Sequence, residues 1–155
     1  MLLKTLGWED RLAQYLLDCT QLAFVWGMHD CALFAAGAVQ AMTGHDLGAI
    51  FRGQYNDALG AERALRNYLK VHHVALRQED SALEMVIWDL LYVVHDCEKI
   101  KQSGFISRGD IIVIDVPETG IAIGVCDGVN MLAVRVEGGL TNLPREAVRY
   151  GWRLP

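Results

Sequence analysis

One long apolar segment, CALFAAGAVQAMT from Cys31 to Thr43, constrains the fold more than any other part of the sequence. Asp30 before it is a favourable N-cap residue, and Gly44 after it ends helices well, so the segment is predicted to be a helix. Because nearly every face of this helix is apolar, we expect it to be buried at the centre of the fold. Its alanines and Gly37 predict that neighbouring elements approach it closely.

The rest of the chain divides into a helical part and a strand-forming part. Helical spacing of apolar residues predicts further helices at Trp8–Cys19, Ala58–Lys70 and about Ser81–Val94. After Asp110 the pattern changes to β-branched runs separated by glycine, which predict strands at Ile111–Ile114, Ile121–Val125 and Met131–Val136, with a further edge strand at Tyr150–Leu154. Asp127-Gly128 is a hairpin signal. Helices followed by an antiparallel meander predict an α+β fold, with the helix from Cys31 packed on a C-terminal antiparallel sheet.

Length and charge limit the classes of function. A chain of 155 residues with 52% hydrophobic residues is expected to form a single domain over residues 1–155. Nineteen acidic residues against 14 basic ones give a net charge of -5, which argues against nucleic acid as a partner. The first residues are too soon interrupted by polar ones for a secretory signal, and no apolar run approaches the roughly 18 residues of a membrane span. We therefore expect that the protein is synthesised in the cytoplasm and does not insert into a membrane.

The cysteines indicate a candidate nucleophile rather than a metal site. No C-x-x-C pair is present, so neither a metal nor another cofactor is expected, and burial is the interpretation for Cys19, Cys97 and Cys126. Cys31 differs because it lies in the first turn of the predicted central helix, where free N–H groups favour a thiolate and can stabilise an oxyanion. Cys31, His29 and Asp30 are therefore the candidate catalytic residues.

Two motifs carry a resemblance to a known family. WGMHDCALF, from Trp26 to Phe34, resembles the start of the catalytic helix in NlpC-type cell-wall peptidases, and Arg108–Ile114 resembles the R-x-G-D strand of that family. The resemblance implies an NlpC/papain-like fold with Cys31 at the nucleophile position. It also places the usual general-base histidine at Gly120, and it leaves only Asn130 as a polar residue that could orient a base. Without these two groups the family's acyl-transfer mechanism lacks its proton shuttle.

Further motifs resemble an uncharacterised family encoded in phage and prophage tail modules. Combined with the segment Trp26–Ala36, they are T-G-x-D at Thr43–Asp46, R-G-x-Y at Arg52–Tyr55 and Gly60-Ala61. The resemblance covers roughly residues 7–69 and 105–154. It implies that the protein lies in the virion tail and binds a tail hub or other tail-tip proteins. Arg52 and Tyr55 either pack against the Cys31 helix or contact such a partner.

Three functions are compatible with these residues. The first is a structural tail-tip or baseplate component built on a degenerate NlpC-type peptidase fold. The second is an active cysteine hydrolase that opens peptidoglycan during cell entry, with His29 or a residue of a neighbouring chain as its base. The third is a tail assembly factor absent from the virion. The lack of a histidine at position 120 favours the first function over the second, and nothing in the sequence separates the first from the third.

Overall fold

The computed structural model describes residues 1–117 and 120–155, and its helices precede most of its strands. The α-helices are α1 (Trp8–Cys19), α2 (Cys31–Thr43), α3 (Ala58–Val71) and α4 (Ala82–Trp88). The strands are β1 (Glu98–Ile100), β2 (Ile111–Val116), β3 (Gly120–Cys126), β4 (Met131–Val134), β5 (Leu140–Leu143) and β6 (Val148–Arg153). The predicted α+β class is confirmed.

The described strands form one sheet in the order β1-β6-β2-β3-β4-β5, and neighbouring strands are antiparallel. The predicted antiparallel pairing of the three strands after Asp110 is confirmed. The edge position expected for Tyr150–Leu154 is wrong, because β6 lies between β1 and β2. Its outer side is covered by β1, a strand of three residues that precedes Asp110.

Helix α2 lies at the centre of the main core, as its composition predicts. The Asp30 side chain accepts a hydrogen bond of 3.0 Å from the Leu33 N–H, and Gly44 ends the helix with a φ of 82°. Its buried side chains share one hydrophobic cluster with α1 and with the inner face of the sheet; they include Phe34, Ala38, Val39 and Met42. This packing places α2 against β3.

Helix α1 crosses α2 at Gly37, where the expected close approach is confirmed. A Cβ atom at Gly37 would collide with the phenol group of Tyr15. The Tyr15 hydroxyl donates a hydrogen bond of 2.8 Å to the Phe34 carbonyl. The absence of a side chain at position 37 is therefore what lets the Tyr15 ring lie on α2.

Helices α3 and α4 pack on each other beside α2. The helix predicted over Ala58–Lys70 is confirmed with one more residue. The helix predicted over Ser81–Val94 is α-helical only as far as Trp88, and Asp89–Val94 form a π-helical turn. In this wider turn, Asp89 accepts a hydrogen bond of 2.7 Å from the Tyr68 hydroxyl of α3.

The end of the predicted third strand differs from the structure. Met131–Val136 is predicted, whereas β4 ends at Val134. A turn follows in which the Arg135 N–H donates to the Gly139 carbonyl at 3.0 Å, with positive φ angles at Gly138 and Gly139. The chain reverses there into β5, for which no strand was predicted.

Candidate functional site around Cys31

Cys31 is the first residue of α2, and its neighbour Asp30 caps that helix. Asp30 is almost completely buried, while Cys31 is partly exposed. The Asp30 carboxylate accepts hydrogen bonds from the Leu33 N–H at 3.0 Å, from the Gly27 N–H at 3.0 Å and from the Tyr55 hydroxyl at 2.6 Å. Asp30 thus holds the start of α2, the preceding loop and Tyr55 together, which is a positioning role.

Tyr55 belongs to this cluster through its hydroxyl. Burial, and then the hydrogen bond to the Asp30 carboxylate, raise the pKa of Tyr55 far above its ordinary value. The phenol therefore stays protonated and remains a hydrogen-bond donor at physiological pH. The predicted packing of Tyr55 against the Cys31 helix is what the structure describes.

The surroundings of the Cys31 thiol shift its pKa in opposite directions. Burial raises its pKa, and the nearby Asp30 carboxylate raises it further. The backbone N–H groups of Ile123, Ala32 and Cys31 itself act in the opposite direction on the pKa but do not outweigh burial. The resting group is therefore a thiol.

A cavity of about 500 Å³ opens beside Cys31. Its walls come from α2, α3, α4 with the π-helical turn, the loop of residues 47–55 and the first half of β3. Most lining side chains are aliphatic or aromatic. The polar and ionisable side chains on the wall are Asp30, Cys31, Tyr55, Glu62 and Ser81.

His29 does not join this cavity. Its ring packs edge-on against Phe34 with centroids 6.2 Å apart, and its buried Nε2 atom has no hydrogen-bond partner among the described residues. Burial lowers the pKa of His29, so the ring is neutral at pH 7. The residue fixes the loop through its backbone instead, since its N–H donates to the Val25 carbonyl at 2.8 Å and its carbonyl accepts from the Val25 N–H at 3.0 Å.

Gly120 lies on the cavity wall together with Cys31. It begins β3 with a φ of 91°, and a Cβ atom there would meet no described atom within 4 Å. Asn130 is elsewhere, on the wall of a different groove between α1 and the far end of the sheet, where it binds Asp127 and Asn142. The structure thus brings Gly120, but not Asn130, to the site.

Arg52 is held outside the cavity by an ion pair. Its guanidinium lies 2.9 Å from Asp46 Oδ1, and about a third of its side chain is exposed. Asp46 also accepts a hydrogen bond from the Gly48 N–H at 3.0 Å. Arg52 therefore stabilises the loop that forms one wall of the cavity and still presents part of its surface to solvent.

Residues 1–117 and 120–155 contain neither a metal-ligand cluster nor a membrane-spanning helix. No cluster of three or more His, Cys, Asp or Glu side chains is placed to bind a metal ion in that part of the chain. No helix in the same residues has both the length and the apolar character required to span a bilayer.

Two features of the site were missed by sequence reasoning. The hydrogen bond from Tyr55 to Asp30 joins residues 25 positions apart, and no local pattern indicates it. The cavity arises because α3 and α4 form their own cluster, with Tyr68, Leu69 and Val86 in its core, rather than closing on α2. Its wall residues looked like ordinary core positions in the sequence.

The comparisons with known proteins identify a family but not a function. A family model described as "Domain of unknown function (DUF6950)" matches residues 4–154. Neither a curated protein nor a solved structure matches the chain.

Proposed function

The chain belongs to the DUF6950 family, and we propose that it is a structural tail-tip or baseplate component of a tailed phage or prophage, built on a degenerate NlpC-type fold. Its partner in this proposal is a tail hub or another tail-tip protein, and its location is the virion tail.

The NlpC-type relationship is supported by where the two resembling motifs lie. The W-G-x-x-D-C motif ends at the first residue of a buried helix, with Cys31 at the helix amino end. The R-G-D motif leads into β2, which pairs with β3 in the sheet that covers this helix. A cysteine at the amino end of a central helix beside an antiparallel sheet is the layout that the resemblance implies.

One observation carries the non-catalytic part of the proposal. Among the described residues, no histidine lines the cavity at Cys31, and the residue at the expected general-base position is Gly120. Glycine has no side chain to accept a proton, and Asp30 is occupied by its three hydrogen bonds. A cysteine hydrolase without its base loses several orders of magnitude in rate. The role that we propose for the fold is therefore binding. The net charge of -5 favours a protein partner over nucleic acid.

The test is made in particles and combines composition with function. Mass spectrometry of purified particles is expected to detect the chain in the tail, whereas its absence would favour an assembly factor. A phage deleted for the gene is then complemented with Cys31→Ser, which should restore infectivity, because the proposal assigns no chemistry to the thiol. Normally assembled but non-infectious Cys31→Ser particles would contradict the proposal.

Arg52 is the candidate contact with the tail partner, and a matched control variant tests it. Arg52→Glu reverses a partly exposed charge and should block incorporation into particles. Asp46→Ala removes the same ion pair without creating the reversed charge, and it should be incorporated normally. Equal loss of incorporation in both variants would indicate that only loop stability matters at this position.

A second candidate function has one observation in its favour. The space beside Gly120 is open, and Cys31 is the first residue of α2, where free backbone N–H groups are of the kind that an oxyanion site requires. A base from a neighbouring chain would complete a peptidoglycan hydrolase there. Muropeptide release by assembled particles, lost in Cys31→Ala, would establish this alternative.

A further inference from the structure

The cavity at Cys31 is much larger than a packing defect. Its volume of about 500 Å³ lies within the range of about 300–1,000 Å³ that is typical of small-molecule sites. At the roughly 30 Å³ that one water molecule occupies in the liquid, it holds on the order of 15 heavy atoms. A single aliphatic side chain from a partner protein would fill only a small part of it.

The lining favours a long aliphatic group. Apolar side chains from α2, α3, α4 and β3 face the same space and remain partly exposed to it, among them Ala36, Leu65, Leu83, Ile87 and Ile121. Such side chains gain free energy when an apolar chain displaces water from them. Aliphatic residues dominate the wall, with Trp26 and Phe51 among its aromatic members, which suits a flexible chain better than a stacked ring.

The charges on the cavity wall restrict the chemical class of the ligand further. The carboxylates on the wall are Asp30 and Glu62, and no lysine or arginine of the described residues lies there. Glu62 is about half exposed and paired with Arg66 at 2.9 Å, so it lies towards solvent, whereas Asp30 is buried beside Cys31. An anionic head group placed next to Asp30 would be repelled. The ligand is therefore neutral where it meets Cys31.

The part of the cavity wall at Cys31 provides hydrogen-bond donors. Cys31 and Ala32 are the first two residues of α2 and line the cavity, and N–H groups in the first turn of a helix have no acceptor within the helix. A neutral carbonyl oxygen is complementary to such donors. We propose that the cavity binds the acyl chain of a neutral ester or amide of about a dozen carbons, with the carbonyl beside Cys31. This binding goes beyond the proposed function, because docking to a tail hub needs no ligand in the cavity.

The direct test is titration of the full chain with glycerol monododecanoate below its critical micelle concentration, monitored by displacement of Nile red. Saturable one-to-one binding is expected, with the eight-carbon ester and dodecanoate at least tenfold weaker. Absence of saturable displacement, or equally tight binding of dodecanoate, would overturn the proposal. Bound ester should also slow alkylation of Cys31 by iodoacetamide.

Variants on α3 locate the site. Ala61 lies on the cavity wall, whereas Ala64 on the same helix lies on a separate groove. Ala61→Phe should weaken binding of the ester at least tenfold, and Ala64→Phe should leave it unchanged, with thermal melting as the check of folding. Leu65→Ala enlarges the cavity and should shift the preferred ester from 12 towards 16 carbons, which keeps the test decisive if Ala61→Phe unfolds. Unchanged binding in folded Ala61→Phe, or an unchanged chain-length preference in Leu65→Ala, would exclude this cavity.

Discussion

The Tyr55 hydroxyl donates a hydrogen bond of 2.6 Å to Asp30 Oδ2, and this bond ties the loop before α3 to the residue that caps α2. Tyr55→Phe removes the bond and leaves a buried carboxylate with one donor fewer. A hydrogen bond to a charged group contributes about 1.5–3 kcal/mol, so we expect a loss of that size in the free energy of unfolding. Urea titration measures it, with Tyr92→Phe as the control at a half-exposed tyrosine. Equal stability of the two variants would contradict the assigned role.

Gly27 and Gly53 form a matched pair in the loops beside Asp30. Both have positive φ angles, 80° and 74°, but a Cβ atom at Gly27 would collide with the Tyr55 carbonyl, whereas one at Gly53 meets no described atom within 4 Å. Gly53→Ala should cost about 1–2 kcal/mol for its backbone conformation alone. Gly27→Ala should cost about 1–3 kcal/mol more, because the added methyl group forces the two loops apart. Similar denaturation midpoints for the two variants would exclude the close approach.

Local signals in the sequence were sufficient for the helices around the site. Helix α2 begins and ends as predicted because Asp30 and Gly44 satisfy its termini by short-range interactions. Helix α1 is likewise specified by its amphipathic spacing. The identity of Cys31 as the first residue of α2 therefore follows from the sequence.

Contacts between residues far apart in the sequence could not be predicted from local patterns. The position of β6 inside the sheet depends on β1, whose three residues carry no strand pattern of their own. The change to a π-helical turn at Asp89 coincides with a hydrogen bond to Tyr68, 21 residues away. The cavity depends on how α3 and α4 lie beside α2, which no periodicity in the sequence specifies.

Glu84 connects α4 to the sheet and should make stability depend on pH. Although burial alone would raise its pKa, hydrogen bonds from the Ser81 N–H, the Tyr150 hydroxyl and the Ser81 hydroxyl, with Arg149 nearby, hold the pKa below its ordinary value of 4.5. A lowered pKa in the folded state means that the carboxylate stabilises the fold above pH 4.5 and that this contribution disappears as the pH falls through the lowered pKa.

Glu84→Gln should therefore lower the free energy of unfolding by about 1–3 kcal/mol at pH 7. The difference from the parent protein should shrink as the pH falls below 4.5, because the unfolded chain is then protonated at Glu84 first, and it should vanish below the lowered pKa of the folded state. Urea titrations across pH 3–7 test this, with Glu79→Gln as an exposed control on the approach to the same helix. A difference that stays constant over this range would show that Glu84 acts through packing rather than charge.

The protonation state of Cys31 separates a binding protein from a hydrolase. Burial raises the pKa of the thiol above its ordinary value of 9.0, despite the N–H groups of Ile123 and Ala32. Since the thiolate is the reactive form, alkylation of Cys31 by iodoacetamide should rise about tenfold per pH unit from pH 6 to 9 without a plateau. Mass spectrometry of labelled peptides follows Cys31 separately from the buried Cys19, Cys97 and Cys126. Protein unfolded in urea provides the reference, because its thiol titrates without burial. A plateau below pH 7 in the folded protein alone would mean that the N–H donors outweigh burial, and Cys31 would then have to be regarded as an activated nucleophile awaiting a base from another chain.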